Sequence, residues 1–374
     1  MFSIRGEVKD YDWGIVDGLE PWTGQVSGRP QAELWFGVHP SGASVLDSSV
    51  HTGDNDDVSF AETLADRLTR EQAPVLAKIL AAARPLSVQV HPDAHDAKKM
   101  WDDQQIAGPQ ILADPYEKAE VLVALEPFDA FIGWRPASDA AEIIERIDGL
   151  ALAASALHSH DYVAAIQAIH EQRESATTLV AQLPNAVRDA QAAGTMSRLM
   201  GESEIAAYRQ AVADFPDDFG VLMTPLLDFF TLAPGDAVYL APGIPHSYVR
   251  GIGFEVMTSS DNVLRLGLTN KPVYVDHALT ILDFVNAPQF IRSSTVVEPR
   301  GAAFGVRVIR GESAVLASGE YRLVVAIEGD VEVSTADAAR TAAQGSGVAI
   351  PAGEGEVTVA APGLAMAVVA PAQA

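Results

Sequence analysis

The sequence predicts a mainly β fold of two β-sandwich or jelly-roll units carrying an α-helical insertion. Three observations carry this. From about Leu226 onward apolar residues alternate in short runs: Val238 and Leu240, Phe254 and Val256, then Leu323, Val325, Ile327, Val331 and Val333. Between about Pro136 and Gly220 the chain is Ala-rich and its apolar spacing is helical. Finally, Gly235-Asp-Ala-Val-Tyr-Leu-Ala-Pro-Gly243 echoes Gly345-Ser-Gly-Val-Ala-Ile-Pro-Ala-Gly353, as two copies of one strand-rich unit would.

In chain order, Met1 to about Arg135 is mixed, with short strand-like runs between Pro, Gly and Asp clusters. Asp139 with Glu142 three residues on reads as a capping box that opens a helix. Ile143, Ile144, Ile147 and Leu150 follow on one helical face, and Val163, Ile166 and Ile169 on a second. Gly149, Pro184, Gly194 and Pro216 divide the stretch into short helices. The later strands are separated by turn chemistry at Pro234-Gly235-Asp236, Gly251-Ile252-Gly253, Gly329-Asp330 and Gly353-Glu354-Gly355. The expected division is residues 1–135 with 221–290 as a metal-binding catalytic unit, 136–220 as a helical insertion, and 291–374 as a C-terminal jelly roll.

Composition narrows the function. Of 374 residues, 48% are hydrophobic and 20% charged, which suits a large buried core. Fifty acidic side chains against 25 basic ones give a net charge of −25, which repels nucleic acid and anionic lipid. Cysteine is absent, so any metal is held by nitrogen and oxygen. Met1 to Trp13 has no apolar core of a signal peptide. The apolar stretch from Val357 is broken by Pro362, Gly363 and Pro371 and alternates like strands. A soluble, cytoplasmic protein is expected.

The segment Pro85-Leu-Ser-Val-Gln-Val-His-Pro92 is the richest in chemistry. Along a strand, side chains two apart share a face, so Ser87, Gln89 and His91 point one way and Leu86, Val88 and Val90 the other. Lys118 and Glu120 likewise share a face at the start of the apolar run Val121 to Leu125. His246 follows the rigid Ala241-Pro-Gly-Ile-Pro245 loop. Two imidazoles, a carboxylate and an amide oxygen form a donor set suited to Zn²⁺. Glu255, Asp261, Arg265 and Lys271 form a second polar cluster, readable either as solvated surface or as buried and partnered. His39, His51, His95, His158, His160, His170 and His277 read as packing, hydrogen-bonded or surface residues.

Several segments resemble the type I phosphomannose isomerase family. These are Tyr11-Asp-Trp-Gly14, Ala32-Glu-Leu-Trp-Phe-Gly-Val-His-Pro-Ser41, Lys78 with Arg84-Pro-Leu-Ser-Val-Gln-Val-His-Pro92, Pro245-His-Ser-Tyr-Val-Arg-Gly-Ile-Gly-Phe-Glu-Val-Met257 and Ser260-Asp-Asn-Val-Leu-Arg-Leu-Gly-Leu-Thr269. They follow the family's order to about Leu282. The resemblance implies two cupin-type jelly-roll β-sandwich units plus an α-helical domain. It also implies one Zn²⁺ per chain, held by Gln89, His91, Glu120 and His246. By the same match Arg265 is the active-site arginine, Lys118, Glu255 and Asp261 line the pocket, and Ser87 and Lys78 lie beside it.

The implied activity interconverts mannose 6-phosphate and fructose 6-phosphate by proton transfer between C1 and C2 through an enediolate. Lys118 and Asp261 are both candidates for the shuttling group. Lys78, Lys118, Arg265 and Lys271 are candidates for the basic focus an anionic substrate needs in so acidic a chain. A sugar phosphate is the expected partner, and the chain is expected to be a monomer or weak homo-oligomer. Glu117-Lys-Ala-Glu120 departs from the family's His-Lys-Pro-Glu, and Thr269-Asn-Lys271 from its Thr-Pro-Lys. Two other readings are a cupin Fe(II) oxygenase, which the extra Gln89 ligand disfavours, and a non-catalytic sugar-phosphate-binding cupin, which Glu117 and Ala119 allow.

Overall fold

The computed structural model describes residues 1–47 and 61–371. Among them, strands form an eleven-stranded and a nine-stranded antiparallel sheet system. His51 lies outside the described residues.

The first system is organised around one long strand, His246–Thr258. Its first half pairs with Phe128–Trp134 and its second half with Val75–Ala82 and Glu120–Ala124, so one strand serves two facing sheets. Gly251-Ile252-Gly253, expected as a turn, lies inside this strand. The physical reason is a close approach. Gly251 has φ +131°, and a Cβ there would sit 2.6 Å from the Pro127 carbonyl oxygen and 2.8 Å from Phe128 Cα. The glycine permits the bend at which the strand changes partners, where the register also shifts.

Alternation along these strands separates two environments. Leu34, Phe36, Ala77, Ile79, Phe254 and Val256 pack against Leu323, Val325, Met366 and Val368 of the second system. Leu80, Leu122, Phe128, Ile132, Leu240 and Tyr248 fill one end of the space between the two facing sheets of the first. The other end of that space is polar and carries the site described below. Each fully buried side chain of this size contributes about 1.5–3 kcal/mol.

The second system runs in the order Val296–Val297, Gly305–Leu316, Val357–Ala370, Tyr321–Glu328, Ser346–Ile350, Phe2–Arg5, Val45–Leu46. Phe2–Arg5, which the sequence division expects in the first unit, pairs with the strand Ser346–Ile350, Phe2 opposite Ala349. The echoing segments Gly235–Gly243 and Gly345–Gly353 place strands Ala237–Leu240 and Ser346–Ile350, one in each system.

Between the strands, helices run from Ala137–Ile144 to Glu202–Asp214. Ile143, Ile144, Ile147, Leu150, Ile166 and Ile169 are buried together with Val88, Val90 and Leu264, so the helical block packs on the apolar side of the strands that carry Gln89 and Arg265. The capping box expected at Asp139 is not formed. The helix starts at Ala137 with Pro136 at its N-cap and no side-chain cap. Asp139 is buried and accepts instead from the Ser197 backbone N–H at 2.9 Å, a tertiary partner that wins over the local one. Among the described residues no helix is long and apolar enough to cross a membrane.

Candidate metal centre and active site

Strand register assembles the site. Trp35 stands opposite Lys78, and Lys78 opposite Glu255. Residues opposite one another share a face, as do residues two apart. Glu33, Trp35, Lys78 and Glu255 therefore project together from three adjacent strands. Glu120 joins this wall opposite Leu240 and Met257. On the facing wall Gln89 is in register with both His246 and Arg265.

His91, Glu120 and His246 converge, with one donor atom from each lying within 4.8 Å of the others. His91 Nε2 is 3.4 Å from Glu120 Oε1, and His246 Nε2 is 3.3 Å from Oε2. Both imidazoles are oriented from behind. The His91 Nδ1–H donates to the Asn262 carbonyl at 2.8 Å, and the His246 Nδ1–H to the Ile244 carbonyl at 3.0 Å. Each ring then directs an Nε2 lone pair at the carboxylate. Burial, with Lys118 nearby, pushes His91 down to about 4, so the ring is neutral at neutral pH.

Two lone pairs facing a buried carboxylate repel it unless a cation lies between them. Among the described residues His91 Nε2 and Glu120 Oε2 have no hydrogen-bond partner, as metal-ligating atoms would not. The donor set fits a divalent ion with nitrogen and oxygen ligands. The Gln89 amide nitrogen lies 3.1 Å from His246 Nε2 while its oxygen accepts from Ser87 Oγ at 2.9 Å. A half-turn of that amide turns its oxygen toward the cluster.

The charges around the centre are arranged by role. Burial raises Glu120, but Lys118 Nζ at 3.0 Å and His91 outweigh it, and the carboxyl sits well below its ordinary range. Lys78 lies between Glu33 Oε1 at 3.4 Å and Glu255 Oε2 at 3.2 Å. Burial opposes its charge, yet these carboxylates raise it above its ordinary value, so Lys78 is a fixed ammonium and not a base. Burial, then Glu120, pushes Glu255 upward.

These groups open on a cavity of about 810 Å³, whose walls include Lys78, Ser87, Gln89, Lys118, Glu120, Glu255, Asp261, Arg265 and Lys271. His91 and His246 lie buried behind it. Arg265 and Lys271 make no ion pair among the described residues. Burial lowers both, and Arg265 lowers Lys271 further, so two mutually repelling cations share one rim.

Three residues of this site were not singled out by the sequence. Glu33 binds both Lys78 and the Trp35 indole, whose N–H donates to Glu33 Oε2 at 2.7 Å. Its signal was a lone carboxylate beside the apolar run Leu34-Trp35-Phe36. His39, read as a packing or hydrogen-bonded residue, does accept the Ser41 backbone N–H at 3.2 Å, but its Nε2 also lies 3.3 Å from Asp261 Oδ2. Asn262 supplies the carbonyl behind His91. Glu117 does not line the cavity. Its charge acts on Tyr239, on the opposite face from Lys118 and Glu120, so the departure from the family pattern lies behind the wall.

A buried His/Glu/His centre at the polar end of a jelly roll defines a cupin-type metalloenzyme. Comparison with known proteins makes this specific. The family model for the type I phosphomannose isomerase catalytic domain matches residues 1–137. Mannose-6-phosphate isomerase of Salmonella typhimurium is 30% identical over 310 residues, covering 74% of this chain and 72% of that protein. A mannose 6-phosphate isomerase solved with zinc and yttrium superposes with a TM-score of 0.78 at 25% identity, covering 99% of both chains. The Salmonella typhimurium enzyme solved with fructose 6-phosphate and zinc superposes with a TM-score of 0.79 at 24% identity, again over 99% of both. The chain belongs to the type I phosphomannose isomerase family.

Proposed function

We infer that the chain is a zinc-dependent aldose–ketose isomerase interconverting mannose 6-phosphate and fructose 6-phosphate. The observation that carries this reading is the pair of imidazoles aimed with Glu120 at one point beside a cavity of about 810 Å³ that holds two cations making no ion pair among the described residues. His91, Glu120 and His246, with Gln89 after its half-turn, would hold the ion. When bound, the ion supplies Lewis-acid polarisation of the substrate's carbonyl and hydroxyl oxygens, which makes the C2 proton acidic enough to remove.

The chain's own residues do the rest. Arg265 and Lys271 offer the phosphate its free positive charge, because Lys78 and Lys118 are already paired with carboxylates. Of the two candidates for proton transfer, Asp261 is favoured. It is half-exposed on the cavity wall, whereas Lys118 is buried against Glu120. Arg265 carries a charge that cannot move as a proton and so steadies the developing oxyanion. Glu33, Lys78 and Glu255 give the sugar hydroxyls a fixed set of donors and acceptors, and Ser87 orients Gln89.

The division into residues 1–135 with 221–290, 136–220 and 291–374 is part of this reading. So are a cytoplasmic location, a monomer or weak homo-oligomer, and a sugar phosphate as partner without nucleic acid, the last supported by the charge of −25. The test is a coupled assay for fructose 6-phosphate formed from mannose 6-phosphate, with metal analysis of the same sample. Zinc with turnover is expected. Iron with oxygen uptake, or metal without turnover, would replace the reading by an oxygenase or a binding protein.

A further inference from the structure

The most densely bonded polar side chain near the centre is Asn262, fully buried beside the cavity and not part of its lining. Its Oδ1 accepts the backbone N–H of Ala113 at 2.9 Å and of Asp114 at 3.3 Å. Its Nδ2 donates to the carbonyls of Asp114 at 2.8 Å and Tyr116 at 2.7 Å, and to Asp114 Oδ1 at 3.0 Å. The amide thus meets its full donor and acceptor capacity on one short loop. Asp114 returns the grip: its carboxylate accepts from Ser260 Oγ at 2.9 Å and from the Asp261 backbone N–H at 3.2 Å.

Two segments are stitched together by this exchange, residues 113–116 and 260–262. The only backbone group of Asn262 aimed at the centre is its carbonyl, which accepts the His91 Nδ1–H at 2.8 Å. We propose that Asn262 is a positioning residue for the metal. By locking its own carbonyl through the loop at 113–116, it fixes the orientation and tautomer with which His91 presents Nε2 to the ion. The same clamp ties the main chain of Asp261 to that ligand, so metal binding and placement of the proposed proton-transfer group depend on one amide. The inference rests on the reading that His91 holds the ion.

Zinc affinity, measured by chelator competition on the full chain, tests it independently of turnover. Asn262→Ala is expected to weaken zinc binding by about tenfold, the low end of the loss seen when an outer partner of a ligating histidine is removed outright, because the carbonyl that accepts from His91 stays but is no longer held. The ¹⁵N spectrum of its histidine-labelled, metal-free form is expected to show His91 losing its single Nδ1–H tautomer. Asp114→Ala, which removes only part of the clamp, is expected to weaken zinc binding several-fold. It decides the matter if Asn262→Ala does not fold. Zinc affinity within twofold of the parent in whichever variant folds would overturn the proposal. His91→Ala separates the two levels: retained zinc there refutes the ligand assignment itself.

Discussion

Lys78 offers a quantitative test of how the site is wired. It is buried between Glu33 and Glu255, and Lys78→Met keeps its length while removing the ammonium. At separations of 3.4 and 3.2 Å and an effective dielectric of about 20, each attraction amounts to about 5 kcal/mol before desolvation. Taking three charged groups out of water offsets most of that sum. What remains on removing one partner is the burden of two uncompensated carboxylates, about 3–5 kcal/mol. The loss is expected in full near pH 8. It should shrink toward pH 5, because two facing carboxylates without a cation share a proton more readily as pH falls. Thermal unfolding of parent and variant at pH 8 and pH 5 measures this, with Lys78→Met/Glu255→Leu as a control that restores most of the stability at pH 8. A variant as stable as the parent at pH 8, or one whose deficit does not change with pH, would refute the reasoning.

Other expectations follow from the same geometry. His246→Ala removes a ligand and should abolish both zinc retention and turnover; full zinc content in that variant rules out the donor set. Arg265→Ala should lower kcat by orders of magnitude with zinc still bound, and an unchanged kcat would place the guanidinium outside the transition state. In the metal-free protein, His91 is held near 4 against an ordinary 6.5, so the native state binds fewer protons than the unfolded chain across that window. Stability is therefore full above about pH 6.5 and falls by roughly 3 kcal/mol as pH drops toward 4, observable as an acid-side decline in melting temperature that His91→Asn should flatten. Gly267 has φ +133° and a Cβ there would sit 2.2 Å from Gly220 Cα, so Gly267→Ala should destabilise by about 3 kcal/mol or more and disturb Arg265; a melting point equal to the parent's contradicts it.

Much of the site was legible because strands impose a period of two. That period alone separates Ser87, Gln89 and His91 from Val88 and Val90, and it pairs Lys118 with Glu120. Applied one step further, it also sends Glu117 to the far face, away from the chemistry. The helical block was readable from Ile143, Ile144, Ile147 and Leu150, whose burial follows their spacing. What stayed hidden is whatever depends on register between distant strands. Nothing near Glu33 announces Lys78, and nothing near Asn262 announces residues 113–116. Local rules also misled where a tertiary partner took over, as at Asp139, or where a glycine pair marked a change of partner strand, as at Gly251.

The pairing of Phe2–Arg5 with the strand Ser346–Ile350 bears on how the molecule is made. On the ribosome, the last strand of the first system, Gln289–Ile291, emerges well before Ser346–Ile350, so an early-synthesised strand must wait for a late one before its backbone groups are satisfied. Until then that edge stays unpaired, a place where chaperone capture or premature strand exchange between neighbouring polypeptides can begin.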